Sequence, residues 1–127
     1  MWRDALLLNL HSRLAQRVLV ELVRPNQAYA EPAAAAPSRA AQVLCVDDNP
    51  ANLLLVKTLL GDMGADVVAV DNGPAALEAV KQHSFDLVLM DVQMPGMDGF
   101  ELAELMRGTE RTRHIPIVFV SAAGREL

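Results

Sequence analysis

Apolar and polar positions follow two different rhythms along this chain. Four short runs, Val43–Val46, Asp66–Val70, Leu87–Met90 and Ile115–Val120, are dense in β-branched and other apolar residues and predict strands. Between them apolar residues recur every three or four positions, which predicts helices over Pro50–Met63, from Gly73 to near His83, and from just after Asp98 to about Arg107. Leu53, Val56, Leu59 and Leu60 form the inward face of the first; Ala76, Leu77 and Val80 that of the second. The third turns Phe100, Leu102 or Ala103, and Leu105 or Met106 inward. Asn49 and Asp98 stand where N-caps belong, Pro50 suits a first turn, and Gly64 suits a left-handed helix end. Leu87–Met90 is apolar at every position, as a strand buried on both faces must be.

The first 41 residues follow a different pattern. Leu7, Leu10, Leu14, Val18 and Leu22 predict a single amphipathic helix over Trp2–Arg24, with Arg13, Arg17, Glu21 and Arg24 off its apolar line, and Pro25 ends it. Residues 25–41 are rich in Ala and Pro without apolar periodicity and predict a linker. The expected organisation is a helix at 1–24, which would be the end of a preceding domain, a linker at 25–41 and an α/β domain at 42–127. Repeated strand–helix–strand units with short loops imply a parallel sheet with right-handed crossovers. Such a sheet gathers its functional groups at the carboxyl ends of its strands. Asp47, Asp48, Asp91 and Ser121 all fall there.

Composition narrows the function. The 127 residues, 52% hydrophobic and 21% charged, suit one globular domain. A formal net charge of −5 with dispersed basic residues argues against direct nucleic-acid binding. Charged residues interrupt the N-terminal apolar runs before a signal core or membrane span can form, so a cytoplasmic location is expected. The single cysteine, Cys45, sits inside a strand pattern and reads as a small buried hydrophobe.

Three carboxylates at two strand ends repel one another unless a cation joins them. Hard oxygen donors suit Mg²⁺, and no His or Cys is placed for zinc. Asp91 can then act as a nucleophile towards phosphorus, with the Ser121 hydroxyl and the Ala122 amide as donors to a phosphoryl oxygen. The plainer alternative is that Asp47-Asp48-Asn49-Pro50 is only a helix-start cluster. Asp98-Gly99 reads as a cap and turn, and Met90, Met94 and Met97 as packing residues. His11, His83 and His114 carry no supporting motif.

Three ordered segments, Leu44-Cys45-Val46-Asp47-Asp48-Asn49-Pro50-Ala51-Asn52, Asp86 to Gly99 with its Met94-Pro95-Gly96-Met97-Asp98-Gly99 turn, and Pro116 to Ala122, resemble the receiver domain of two-component response regulators. The wording is closest to receivers attached to hybrid sensor histidine kinases. The resemblance implies a flavodoxin-like (CheY-like), doubly wound fold and a phosphoacceptor domain rather than an enzyme. It makes Asp91 the phosphoacceptor, Asp48 the direct Mg²⁺ ligand and Asp47 an acid acting largely through water. Gln93 would offer its backbone carbonyl to the metal, and Ser121 the switch hydroxyl. Receivers continue into a fifth strand ending in a lysine and a fifth helix; Lys57 and Lys81 lie on earlier helices. The chain therefore resembles a C-terminally truncated receiver of about four strands, with an extra N-terminal helix. Its last strand is expected to be an open edge, and the N-terminal helix to fold back beside the Pro50–Met63 helix through Leu7, Leu14 or Val18. The function implied is Mg²⁺-dependent phosphoryl acceptance from a histidine kinase or phosphotransfer domain in a phosphorelay. An inert docking fragment is the alternative. A phosphatase with an aspartyl nucleophile is disfavoured because Gln93 stands where its second Asp belongs.

Overall fold

The computed structural model describes residues 7–9, 13–23 and 40–121; within these, the side chains of residues 7–9, Leu14, Ala15, Leu22 and Ser121 are outside the description. In chain order the elements are β1 (Leu7–Asn9), α1 (Arg13–Val23), β2 (Gln42–Val46), α2 (Pro50–Gly61), β3 (Asp66–Val70), α3 (Gly73–Gln82), β4 (Leu87–Asp91), α4 (Gly99–Arg107) and β5 (Ile117–Ser121). All strand pairs are parallel, in the order β1-β5-β4-β2-β3.

Strand residues alternate between two apolar layers, as a period of two requires. Leu44, Val46, Val88, Met90, Ile117 and Phe119 face α3 and α4 and meet Ala76, Val80, Leu102, Ala103 and Met106. Val43, Cys45, Leu87, Leu89, Val118 and Val120 face the other way and meet Val56 and Leu60 of α2 and Leu19 and Val23 of α1. From β2 the chain steps outward to β3 over the α2 face, then returns through β4 to β5 over the α3–α4 face. Reversing both direction and face preserves one crossover hand, and the strand order reverses beside β2 and β4.

The helix ends follow the predicted chemistry. The Asn49 side chain accepts from the Ala51 amide and Asn72 from the Ala75 amide, each with Pro in the first turn behind it. Asp98 and Glu101 form a reciprocal capping box at α4. Gly64 has φ +88°, the left-handed conformation that favours glycine.

The N-terminal segment departs from expectation. Trp2–Arg24 is not one helix: Leu7–Asn9 is a strand, paired in register Leu7–Phe119, Leu8–Val120 and Asn9–Ser121. Only Arg13–Val23 is helical. The outer side of β5 is thus paired, not open, and the described sheet has five strands: four from the α/β segment and one from the N-terminus. The physical reason is that three apolar-flanked residues satisfy an unpaired strand edge, a gain that local periodicity does not register. The helix does lie against α2, as expected: among its described side chains Leu19 and Val23 are buried and Val18 packs at the margin, while the side chains of Leu7 and Leu14 lie outside the description.

Candidate functional site

Three carboxylates converge at the carboxyl edge of the sheet. β2 ends at Val46, so the chain delivers Asp47 and Asp48 beyond the last pair, Val46–Met90; Asp91 closes β4 next door. One oxygen from each of Asp47, Asp48 and Asp91 lies within 4.8 Å of the others. The three differ in exposure: Asp47 is buried (1%), Asp91 partly so, and Asp48 open to solvent.

Asp47 is held on several sides. Its amide donates to the Val70 carbonyl at 3.1 Å. Its Oδ1 accepts from the Asn49 amide at 2.9 Å and its Oδ2 from the Asn52 side-chain amide at 3.1 Å. Asn52 is itself buried and shares a helix stripe with Val56 and Leu60. Asp91 receives less support: the Gln93 amide donates to its Oδ1 at 3.3 Å. Burial first, then the Asp47 charge, pushes the Asp91 carboxyl up to about 7 against the modest pull of that amide. The cluster therefore holds its full negative charge poorly when no cation is bound.

The turn after Asp91 is built to pass close behind it. Gly96 has φ +82°, and the Gly99 amide donates to the Val92 carbonyl at 3.0 Å. A β-carbon on Gly99 would overlap the Asp91 carbonyl oxygen and stand 3.0 Å from the Met90 Cγ. Glycine is thus required for the first turn of α4 to approach the end of β4. Met94 is buried in the core and Met97 packs at its margin and against Gly73, as packing residues should.

These observations match what is known of related chains. The sequence from 43 to 126 matches the family model of the response regulator receiver domain. The chain belongs to that family. It is 57% identical over 114 residues to the sensor histidine kinase GacS of Pseudomonas protegens, covering 87% of this chain and 12% of the relative. It is 48% identical over 80 residues to the histidine-protein kinase BarA of Escherichia coli K12, covering 63% of this chain and 9% of the relative. The chain thus spans only about an eighth, or less, of the curated relatives it matches. A receiver domain of a sensor histidine kinase from Pseudomonas aeruginosa PAO1, solved with a magnesium ion in its active-site cleft, superposes with a TM-score of 0.63 at 29% identity. The match covers 68% of this chain and 71% of that one. The chemotaxis protein CheY4 of Vibrio cholerae superposes with a TM-score of 0.61 at 34% identity, covering 63% and 67%. The doubly wound, CheY-like fold is therefore that of this receiver, and the curated relatives named above are sensor histidine kinases.

Of the residues singled out by sequence, the receiver brings Asp47, Asp48 and Asp91 together. Gln93 lies two residues beyond Asp91 with its side chain exposed and its amide turned to the carboxylate. Ser121 ends β5, one residue past the partner of Asp91 in register. Its hydroxyl, Ala122 and His11 lie outside the description. Cys45 is fully buried; burial, Asp47 and Asp91 raise its thiol to about 12, so it is a hydrophobe rather than a nucleophile. Two contributors escaped the sequence reading. Asn52 has no role in the sequence reading, although its i, i+4, i+8 spacing with Val56 and Leu60 signals an inward direction. From sequence Gly99 reads only as part of a cap and turn, and its close approach to β4 is a tertiary fact.

Proposed function

We propose that this receiver accepts a phosphoryl group on Asp91, from a phosphohistidine of a histidine kinase or phosphotransfer domain, as one step of a phosphorelay. The observation that carries this reading is the convergence of Asp47, Asp48 and Asp91 within 4.8 Å. That spacing and donor set fit Mg²⁺, whose opposite oxygen ligands stand about 4 Å apart and which takes carboxylate and water oxygens. Asp48 and Asp91 would ligate the ion directly, Asp47 largely through water, and the Gln93 backbone carbonyl would complete the protein's share. When bound, the ion supplies charge neutralisation at the phosphoryl oxygens.

The chain's own residues do the rest. An Asp91 carboxylate oxygen forms the new bond to phosphorus while the bond to the donor nitrogen breaks, and the leaving imidazole keeps the electron pair and takes a proton. Asn52 and the Asn49 amide hold Asp47, so this acid cannot swing away from β4. Gly99 lets α4 support the Asp91 backbone from behind. Ser121, on the neighbouring strand end, would donate its hydroxyl to a phosphoryl oxygen. No helix among the described residues is long and apolar enough to cross a membrane; a cytoplasmic location is part of this proposal.

Incubation with a small acyl phosphate and Mg²⁺ tests the reading by intact mass. The expected result is a gain of one phosphoryl group that disappears in Asp91→Asn and with a chelator. A folded protein that gains nothing would instead support an inert docking module.

A further inference from the structure

The three acids at the strand ends are not held alike. The Asp47 backbone is tied to β3 through the Val70 carbonyl, and its Oδ1 to the Asn49 amide. Its second carboxylate oxygen could still turn about the first; the Asn52 Nδ2, donating to Oδ2 at 3.1 Å, removes that freedom. The donor stands in the first turn of α2, where the Asn52 amide itself donates to the Asn49 carbonyl at 3.1 Å. Asp91 accepts a longer bond, 3.3 Å from the Gln93 amide, and Asp48 is open to solvent. One acid is therefore fixed while the other two can adjust.

Packing alone does not call for Asn52. It is 4% exposed and continues the inward stripe of Val56 and Leu60, where an apolar side chain of similar size would fill the same space. A buried amide is stable there only through a polar partner, and the partner is a carboxylate of the acidic cluster. Hydrogen bonds to an ionised oxygen are also among the stronger kinds.

The consequence concerns which cation the cluster takes. Mg²⁺ demands near-ideal octahedral geometry and keeps several waters, whereas Ca²⁺ takes about six to eight oxygens and readily accepts both oxygens of one carboxylate. A buried carboxylate anchored through both of its oxygens cannot turn both towards one ion. Fixing Asp47 thus suits the first cation and withholds ligands from the second.

Resting on the Mg²⁺ reading given above, we propose that Asn52 is a positioning residue which sets the preference of the cluster for Mg²⁺ over Ca²⁺ by holding Asp47 in one orientation.

Titrating the whole 127-residue chain separately with Mg²⁺ and with Ca²⁺, and following the amide resonances of Asp48, Asp91 and Gln93, gives a Kd for each ion. In Asn52→Leu the Kd for Mg²⁺ should rise about tenfold. That for Ca²⁺ should change about threefold or less, so the preference moves towards Ca²⁺. Thr112→Val removes a buried hydrogen bond at the opposite end of the sheet and should leave both constants at wild-type values, which separates positioning from lost stability. Adding Asn52→Leu to Asp47→Ala should alter neither constant further. Should Asn52→Leu fail to fold by circular dichroism, Asn52→Ser, too short to reach Oδ2, is read in its place with the same expectations. Unchanged constants, or equal weakening of both ions, overturn the assignment of Asn52. So does a further change on top of Asp47→Ala, because Asn52 then acts by another route. Each of these leaves the Mg²⁺ reading standing, whereas a folded wild type that binds no Mg²⁺ overturns that reading and the role of Asn52 together.

Discussion

Replacing Asp91 with Asn should stabilise the metal-free protein, and by an amount that depends on pH. Burial and the Asp47 charge raise the Asp91 carboxyl from 3.8 to about 7. Between those values the folded state binds more protons than the unfolded state, so its stability falls as pH rises from about 4 to about 7 and is level above. At about 1.4 kcal/mol per pH unit the full shift corresponds to about 4 kcal/mol. Asp91 is only partly buried, and solvent screening reduces this to about 1–2 kcal/mol. Asn keeps the size and abolishes the charge. In chelator, urea unfolding followed by far-ultraviolet circular dichroism should find Asp91→Asn more stable than wild type by about 1–2 kcal/mol at pH 8, with the gap nearly closed at pH 4. Taking the difference between the two proteins cancels the other titrating groups. Saturating Mg²⁺ should shrink the gap at pH 8, because the cation relieves the same repulsion. A gap that is absent at pH 8, or equal at both pH values, would refute the electrostatic account of the cluster.

Other consequences follow from the same geometry. Gly99→Ala forces a methyl group onto the Asp91 carbonyl, which belongs to the backbone and cannot step aside; overpacking of this kind should cost about 1–3 kcal/mol in urea unfolding and slow acceptance at Asp91. Asp47→Ala strands the buried Asn52 amide and should lose about 1–3 kcal/mol, most of it recovered in Asp47→Ala with Asn52→Leu. Mg²⁺ at about a hundred times its Kd should raise Tm by about 5–10 °C in wild type, and not in Asp48→Ala. Thr112 is buried and its hydroxyl donates to the Met106 carbonyl at 2.7 Å, so Thr112→Val should cost about 1 kcal/mol without changing phosphoryl acceptance.

Much of this receiver is legible locally. The positions of Asp47, Asp48 and Asp91 follow from where apolar runs stop, and the caps at Asn49 and Asp98 from side chains that reach their own backbone. Such features need only a few neighbouring residues. What could not be read was set by partners distant in sequence. Asn52 faces inward because Asp47 awaits it, and Gly99 is small because β4 lies against it.

The N-terminus shows the same division most sharply. Apolar spacing alone favoured a continuous helix from Trp2, because helix propensity and periodicity are properties of one segment. Whether Leu7–Asn9 is helix or strand turns on whether β5 has an unpaired edge to offer, which the segment cannot know. The Asp91 turn is similar. Its residues identify a carboxylate at a strand end beside an acidic pair; the proton it retains to about 7 comes only from assembling those charges and burying them together. By itself the sequence determined the order of strands and helices from residue 42 onward, the acids at their ends and the family, because these rest on local pattern. The tertiary structure decided which strand closes the sheet, which amide steadies Asp47 and how strongly Asp91 resists ionisation, because each is an energy of contact between segments far apart in the chain.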